Sequence, residues 1–373
     1  MSIKKMLAIA VVIFAIVILG IYFINVQSPE TDITTKTTRV GLLINGSHTD
    51  GSFCQVHYEG LNSLKDELNL EIICKDYVPE DEGFLDVVDE LVNVEKCKII
   101  VASSFGYGKY MDTVCEKYPD VYFFHSAGTN KGSNLSTFFG RLYQARYLSG
   151  IVAGMRTETG EIAYVAAFAN TEVVRGINAF TEGVRSVRPD ATVHVEYCNS
   201  WTDYGSSGEA ATDLFSKYPI DVLTLHSNSM QPIIEADNRG IWTIGYNMEH
   251  AKDFPDTYLV ACEFSTASYF REQILSILQG KFHGSNLWLG MDTGFVRLSE
   301  LTGNVADGTK EAVDAAKERF ESKTFDVFYG PIYDNQGTLR VEEGESMSDD
   351  EMLNSFDWYV DGVVVEEVQT YAK

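Results

Sequence analysis

Apolar residues fall along this chain in two alternating kinds of stretch, and their order predicts most of the architecture. Short runs such as RVGLLIN from Arg39, LEIICK from Leu70, CKIIVASS from Cys97 and VYFFHSAG from Val121 are nearly continuous in hydrophobicity. Between them lie amphipathic stretches from Phe53 to Leu68, around Leu85 to Val94, and from Tyr110 to Lys117. Continuous apolar runs of strand length separated by helices predict a parallel sheet covered on both faces. The order then recurs: EIAYVAAF from Glu161, a helix from Thr171 to Val187, TVHVEYC, a helix near Ala210 to Lys217, DVLTLHS, a helix near Pro232 to Arg239, and IWTIGYN. Corresponding strands are offset by about 120 residues, too long for a solenoid period and suited to two similarly built halves. The predicted fold class is α/β, with two Rossmann-like lobes.

The segment from Arg141 to Met155 is helical in pattern, carries Ala145, Ser149, Gly150, Ala153 and Gly154, and leads into the second half. More chain follows that half than it needs. The expected division is a first lobe over 39–155, completed by a return of about 265–373, and a second lobe over 156–264, with several hinge strands between them.

The first 25 residues stand apart. After Lys4 and Lys5, an unbroken apolar run extends from Met6 to Ile24, and nineteen helical residues reach about 30 Å, the thickness of a hydrocarbon core. This predicts one N-terminal transmembrane helix, either an anchor or an uncleaved signal. The lysines precede it and the next basic residue is Lys36, which places the N-terminus in the cytoplasm and the body outside. Residues 26–38 read as a polar tether.

Charge then narrows the function. Lys and Arg total 29 against 54 Asp and Glu, a formal net charge of -25, which repels a phosphate backbone and argues against nucleic-acid binding. The six cysteines form no C-x-x-C pair and have no His at zinc-finger spacing, so neither a metal nor a cofactor is expected.

Ligands of open parallel sheets gather beyond the carboxyl ends of the strands. Those positions hold NGSHTDGSF (from Asn45), SSFGYG (from Ser103), HSAGTN (from His125), ANTEV (from Ala169), NSWTDY (from Asn199), SNSM (from Ser227), YNME (from Tyr246) and EFST (from Glu263). Aromatics, hydroxyls and amides dominate, a set suited to an uncharged planar ligand held by stacking and hydrogen bonds. No glycine-rich phosphate loop followed by Lys is present. Each candidate also has a structural reading. Phe53 stacks on a ligand or staples its helix to the core; Phe105, with Gly106 beside it, stacks or plugs a lobe surface; Trp201 lines a rim or packs. His125 and His226 end apolar strands as structural histidines, and Asn228 and Asn247 suit helix caps. No G-x-S-x-G, H-E-x-x-H or dinucleotide fingerprint occurs, so binding without turnover is the simpler reading.

With those segments in view, the chain resembles the basic membrane protein family, purine-nucleoside-type substrate-binding components of ABC importers. DGSFCQVHYEG (Asp50 to Gly60), FFHSAG, the block FFGRLYQARYLSGIVAG (Phe138 to Gly154), AYVAAFANTEVVRGINAFTEGVRSVRPDA (Ala163 to Ala191), NSWTDYGSSGEAA, IGYNME and FDWYVDGVVV carry the likeness. The resemblance implies a type 1, ribose-binding-like periplasmic binding fold that closes on a purine nucleobase or nucleoside and presents it to an ABC permease. It implies stacking roles for Phe53 and Phe105, an aromatic wall completed by Trp201 and Phe264, and polar recognition by Asp50, Glu172, Asn228 and Asn247. Cys54 stands where relatives often carry Asn or Thr, and the N-terminal Cys that lipid-anchors many relatives is replaced here by the apolar run. The alternatives are a ligand-sensing receptor that signals to a membrane partner, or a nucleoside-cleaving enzyme.

Overall fold

A computed structural model describes residues 37–322 and 324–366. The predicted anchor at 1–25 and the start of the tether lie outside the described residues. Among the described residues, no helix is long and apolar enough to cross a membrane.

The chain runs β1 (Thr38–Ile44), α1 (Phe53–Asn62), β2 (Leu70–Lys75), α2 (Gly83–Asn93), β3 (Ile99–Ser103), α3 (Gly108–Lys117), β4 (Tyr122–Ser126) and β5 (Leu135–Gly140). It continues through α4 (Tyr143–Arg156), β6 (Glu161–Ala166), α5 (Thr171–Val187), β7 (Thr192–Tyr197), α6 (Tyr204–Lys217), β8 (Val222–His226), α7 (Gln231–Asp237), β9 (Trp242–Asn247) and β10 (Tyr258–Phe264). Beyond lie α8 (Thr266–Leu278), β11 (Ser285–Leu289), β12 (Val296–Leu298), α9 (Thr309–Glu321), β13 (Ile332–Tyr333), β14 (Leu339–Val341), α10 (Asp349–Asn354) and β15 (Val363–Val365).

These strands form two large sheets. The first has the order β2-β1-β3-β4-β5-β11 and is parallel throughout. In the second, of order β15-β7-β6-β8-β9-β10-β12, only β12 is antiparallel. Every residue of β3, β8 and β10 is buried, as expected of central parallel strands with helices on both faces. The chain passes between the sheets after β5, after β10 and after β11.

The division of the chain differs from the expected one in two places. Helix α4 packs on α5 of the second unit. A Cβ placed on Gly150 would lie 2.1 Å from the Phe180 carbonyl oxygen, and one on Gly183 2.0 Å from that of Tyr147, so the two helices meet backbone to backbone. The run of small residues, expected in the first lobe, is therefore a docking face against the second. The returning chain also divides. Helix α8 lies against α1, where the Thr266 hydroxyl donates to the Val56 carbonyl at 3.0 Å, and β11 extends the first sheet. By contrast, β12 and β15 join the second, with Val363 opposite Val193. β15 covers β7, which would otherwise present an open edge.

Candidate functional site

The loop between β1 and α1 meets the second unit directly. Asp50 organises it: one carboxylate oxygen accepts from the amides of Ser52 (2.8 Å) and Gln55 (3.0 Å), the other from that of Cys54 (3.2 Å). Gly51 turns the loop with φ 67°, the left-handed region that glycine reaches without strain. Its carbonyl accepts a hydrogen bond from His250 Nε2 at 2.8 Å, which requires the proton on that nitrogen. Ser52 follows, buried and making no side-chain cap to its own helix. Its hydroxyl accepts from Asn247 Nδ2 at 2.8 Å and donates to Asn228 Oδ1 at 3.4 Å, while the same Asn247 amide donates to Asn228 Oδ1 at 3.2 Å.

Loops following β1, β8 and β9 are thereby tied together, and the carboxyl ends of the two sheets face each other. Asn247 has φ 68°, an uncommon backbone state that asparagine tolerates better than most residues. Its Oδ1 is buried with no hydrogen-bond partner among the described residues, and so is the hydroxyl of neighbouring Ser227. An unsatisfied buried acceptor or donor of this kind carries a desolvation penalty of about 1–3 kcal/mol. Phe53 follows Ser52 and opens α1, its ring centroid 6.1 Å from that of Phe264 in an edge-on arrangement and 4.4 Å from His57. Phe264 is nearly buried between Phe139 and Phe295, and it fits only because residue 140 is glycine: a Cβ there would lie 2.4 Å from the Phe264 ring.

A second cluster lies at the ends of β6 and β8. Asn170 caps α5, its side chain accepting from the Val173 amide, and this places Glu172 in the first turn. Glu172 Oε1 accepts from His226 Nε2 at 3.0 Å, and Tyr164 OH donates to His226 Nδ1 at 3.0 Å. Burial, together with the charges of Arg146 and Arg175, holds His226 below the usual imidazole range, against the pull of Glu172. Burial also opposes the charge on Glu172, but His226 and the two guanidiniums outweigh it and its carboxyl titrates below the ordinary range. Arg146 is itself fully buried, donating to Leu225 O (2.9 Å) and Thr224 Oγ1 (3.3 Å), with its guanidinium 4.7 Å from the Tyr246 ring centroid. Trp201 stands over this cluster, edge-on to Phe168 at 5.9 Å and to His226 at 6.3 Å.

The remaining candidates lie on the first unit. Phe105 sits in a short 3-10 turn (Phe105–Tyr107) and is 75% exposed. Gly106 packs under the Glu80 carboxylate, which a Cβ would approach to 2.4 Å; Glu80 is bound in turn by Asn45 Nδ2 (3.1 Å) and by the Ser104 hydroxyl. His125 is fully buried, its Nε2 donating to the Ser104 carbonyl at 2.8 Å, and Gly128 closes over its other nitrogen.

The structure thus brings Asp50, Phe53, Asn228, Asn247 and Phe264 together, and gathers Glu172 and Trp201 around His226. Phe105, Gly106 and His125 remain on the first unit, and among the described residues Phe105 has no ring partner. Ser52, His250, Phe168 and Glu80 were not among the predicted site residues. His250, three residues beyond Asn247, and Phe168, just before ANTEV, lay at strand ends where the same rule would have reached them. Ser52 lies in the run NGSHTDGSF that the same rule reached, but nothing in that run set it apart from its neighbours.

Two parallel-sheet units, linked by three chain crossings and touching at the carboxyl ends of their strands, define a bilobal solute-binding protein. The chain belongs to the family of PnrA-like ABC transporter substrate-binding proteins, whose model matches residues 37–327. It is 31% identical over 334 residues to a purine-binding protein of Brucella abortus, spanning 87% of this chain and 92% of that one. It is 34% identical over 265 residues to a putative ABC transporter glucose-binding protein of Haloferax volcanii, spanning 71% of this chain and 65% of that one. Among solved structures, an ABC transporter solute-binding protein from Aeropyrum pernix superposes with a TM-score of 0.68 at 17% identity, covering 78% of this chain and 93% of that one. At that identity the superposition shows the fold, an α/β periplasmic binding protein.

Proposed function

We propose that the cleft between the two units takes a purine nucleobase or nucleoside, without chemical conversion, for delivery to an ABC permease from the extracytoplasmic face of the membrane. The observation that carries this reading is the pair of unpaired buried groups, Asn247 Oδ1 and Ser227 Oγ, at the junction of the units, where Ser52, the residue before Phe53, accepts from Asn247 and donates to Asn228. A purine offers ring N–H and amino donors to such an acceptor and a flat face to the ring. The likeness to the Brucella abortus purine-binding protein over most of both chains supports the same choice.

The energetics are adequate. A flat heterocycle burying the 150–250 Å² typical of a large aromatic group gains about 4–6 kcal/mol at ~25 cal/mol per Å². Hydrogen bonds to the buried amides then discriminate, because an analogue lacking the matching group leaves them unpaired. Closing the cleft is driven by whichever contacts the open state lacks; the bonds of Ser52 to Asn247 and to Asn228 supply two of them. In this reading Asp50 positions the loop, and Glu172, held by His226, presents a carboxylate near Trp201.

Calorimetric titration of the full chain with adenosine, inosine, hypoxanthine, guanine and D-glucose tests the proposal. Saturable one-to-one binding of a purine with no response to glucose is expected. Binding of glucose alone would transfer the site to a neutral sugar, and release of free base from a nucleoside would make the protein an enzyme.

A further inference from the structure

Three donor side chains of different chemistry converge on the first unit, outside the cleft groups described above. His48 lies in the loop between β1 and α1. Cys74 ends on the same side of its strand as Asp76, two residues on and just past the end of β2. One ligand atom from each of the three lies within 4.8 Å of the others. His48 Nδ1 is 2.7 Å from Asp76 Oδ2, and Cys74 Sγ is 3.3 Å from Asp76 Oδ1. The His48 ring is backed by Tyr58 at 4.9 Å, and its backbone amide donates to Asp76 Oδ2 at 3.3 Å. The cluster is partly open to solvent, with the side chains of His48 and Asp76 41% and 25% exposed.

We propose that His48, Cys74 and Asp76 form a binding site for a zinc-class divalent transition metal. Tetrahedral coordination with metal–nitrogen and metal–oxygen bonds of ~2.0–2.2 Å and a metal–sulfur bond of ~2.3 Å requires ligand atoms roughly 3.3–3.8 Å apart. The observed separations, from 2.7 Å to no more than 4.8 Å, bracket that spacing. The hydrogen bonds that now join the three groups place protons where the cation would sit. On binding, Cys74 gives its thiol proton to solvent, and His48 adopts the tautomer protonated at Nε2, freeing the Nδ1 lone pair. A mixed nitrogen, sulfur and oxygen set favours zinc and its neighbours over calcium or magnesium, which select oxygen. Three protein ligands leave a fourth position for water. Local spacing carries no sign of the site, because His48 and Cys74 are brought together by the parallel pairing of β1 and β2, in which Leu42 stands opposite Cys74.

The site clips to β2 the same loop that carries Ser52 and Phe53. Its existence does not depend on the identity of the cargo.

Titration of the full, chelator-treated chain with Co2+ tests it directly. One equivalent is expected to bind, with a thiolate-to-cobalt charge-transfer band that Zn2+ displaces. The band is expected to disappear in Cys74→Ser, affinity to fall at least tenfold in His48→Ala, and Cys115→Ser to behave as the unsubstituted protein. In the unsubstituted protein, Zn2+ is expected to protect Cys74 from alkylation mapped by mass spectrometry. Absence of a saturable cobalt signal, a band that survives Cys74→Ser, or alkylation of Cys74 unaffected by Zn2+ would each overturn the proposal.

Discussion

Replacing Ser52 with alanine isolates the contact between the two units. The Ser52 hydroxyl accepts from Asn247 Nδ2 at 2.8 Å and donates to Asn228 Oδ1 at 3.4 Å, and both partners belong to the second unit. It makes no side-chain bond to α1, so its removal leaves the helix intact, and the Ser52 amide still reaches Asp50. In the open state the three polar groups exchange with water. In the closed state the variant leaves an Asn247 N–H buried without its acceptor, at a cost of about 1–3 kcal/mol. If the ligand binds by closure, the whole penalty appears in the affinity, a loss of roughly 5- to 150-fold. Calorimetry with the tightest purine gives the affinity, and small-angle scattering with and without it reports compaction. Thermal stability of the unliganded chain should hardly move. A variant that binds and compacts like the unsubstituted protein would refute the idea that these hydrogen bonds belong to the closed, loaded state.

Other consequences are as direct. Phe53→Ala should weaken purine binding by at least ~1 kcal/mol, about fivefold, through loss of an aromatic contact; unchanged calorimetric affinity would remove Phe53 from the site. Gly150→Ala drives a methyl group toward the Phe180 carbonyl and should destabilise the chain by about 1–3 kcal/mol. Gly303→Ala, with open space around it, should leave the melting temperature unchanged. Acid should destabilise through His57 and His125, which burial pushes down to about 4 in the folded chain from 6.5. Between those values the unfolded chain holds more protons, so this contribution to stability grows as pH rises. Glu182, pushed up by burial to about 7, works in the opposite sense over its own window. Glu182→Gln should therefore show a melting temperature that rises more steeply from pH 4.5 to 6.5 than the unsubstituted protein does, and an equal or shallower slope would contradict the assignment.

Much of the fold was legible because fully buried parallel strands are continuous hydrophobic runs. RVGLLI, IIVAS and VLTLH announce themselves, and the helix expected from Thr171 to Val187 is α5. The allegiance of α4 was not legible. Gly150 and Gly154 form a small-residue stripe, and only the facing backbone of α5, with Gly183 opposite, shows which unit it serves. Strand β15 pairs with residues about 170 positions earlier, a distance over which local pattern carries no information. For the site, the rule of strand carboxyl ends reached Asn228, Asn247 and the run NGSHTDGSF that holds Ser52, but only the contact with the second unit singles Ser52 out. Asp50 has the polarity of a ligand contact, yet its oxygens are taken up by three amides of its own loop. Residue type alone does not distinguish those two uses.

A crystal structure of the chain grown with the purine that binds most tightly tests the account most directly. The expected electron density is a flat ring against Phe53, with a nitrogen donor within hydrogen-bonding distance of Asn247 Oδ1 and the Ser52 bridge closed beside it. A purine lodged away from Asn247 and Phe53, or a cleft that holds its ligand with Ser52 and Asn228 drawn apart, would contradict it.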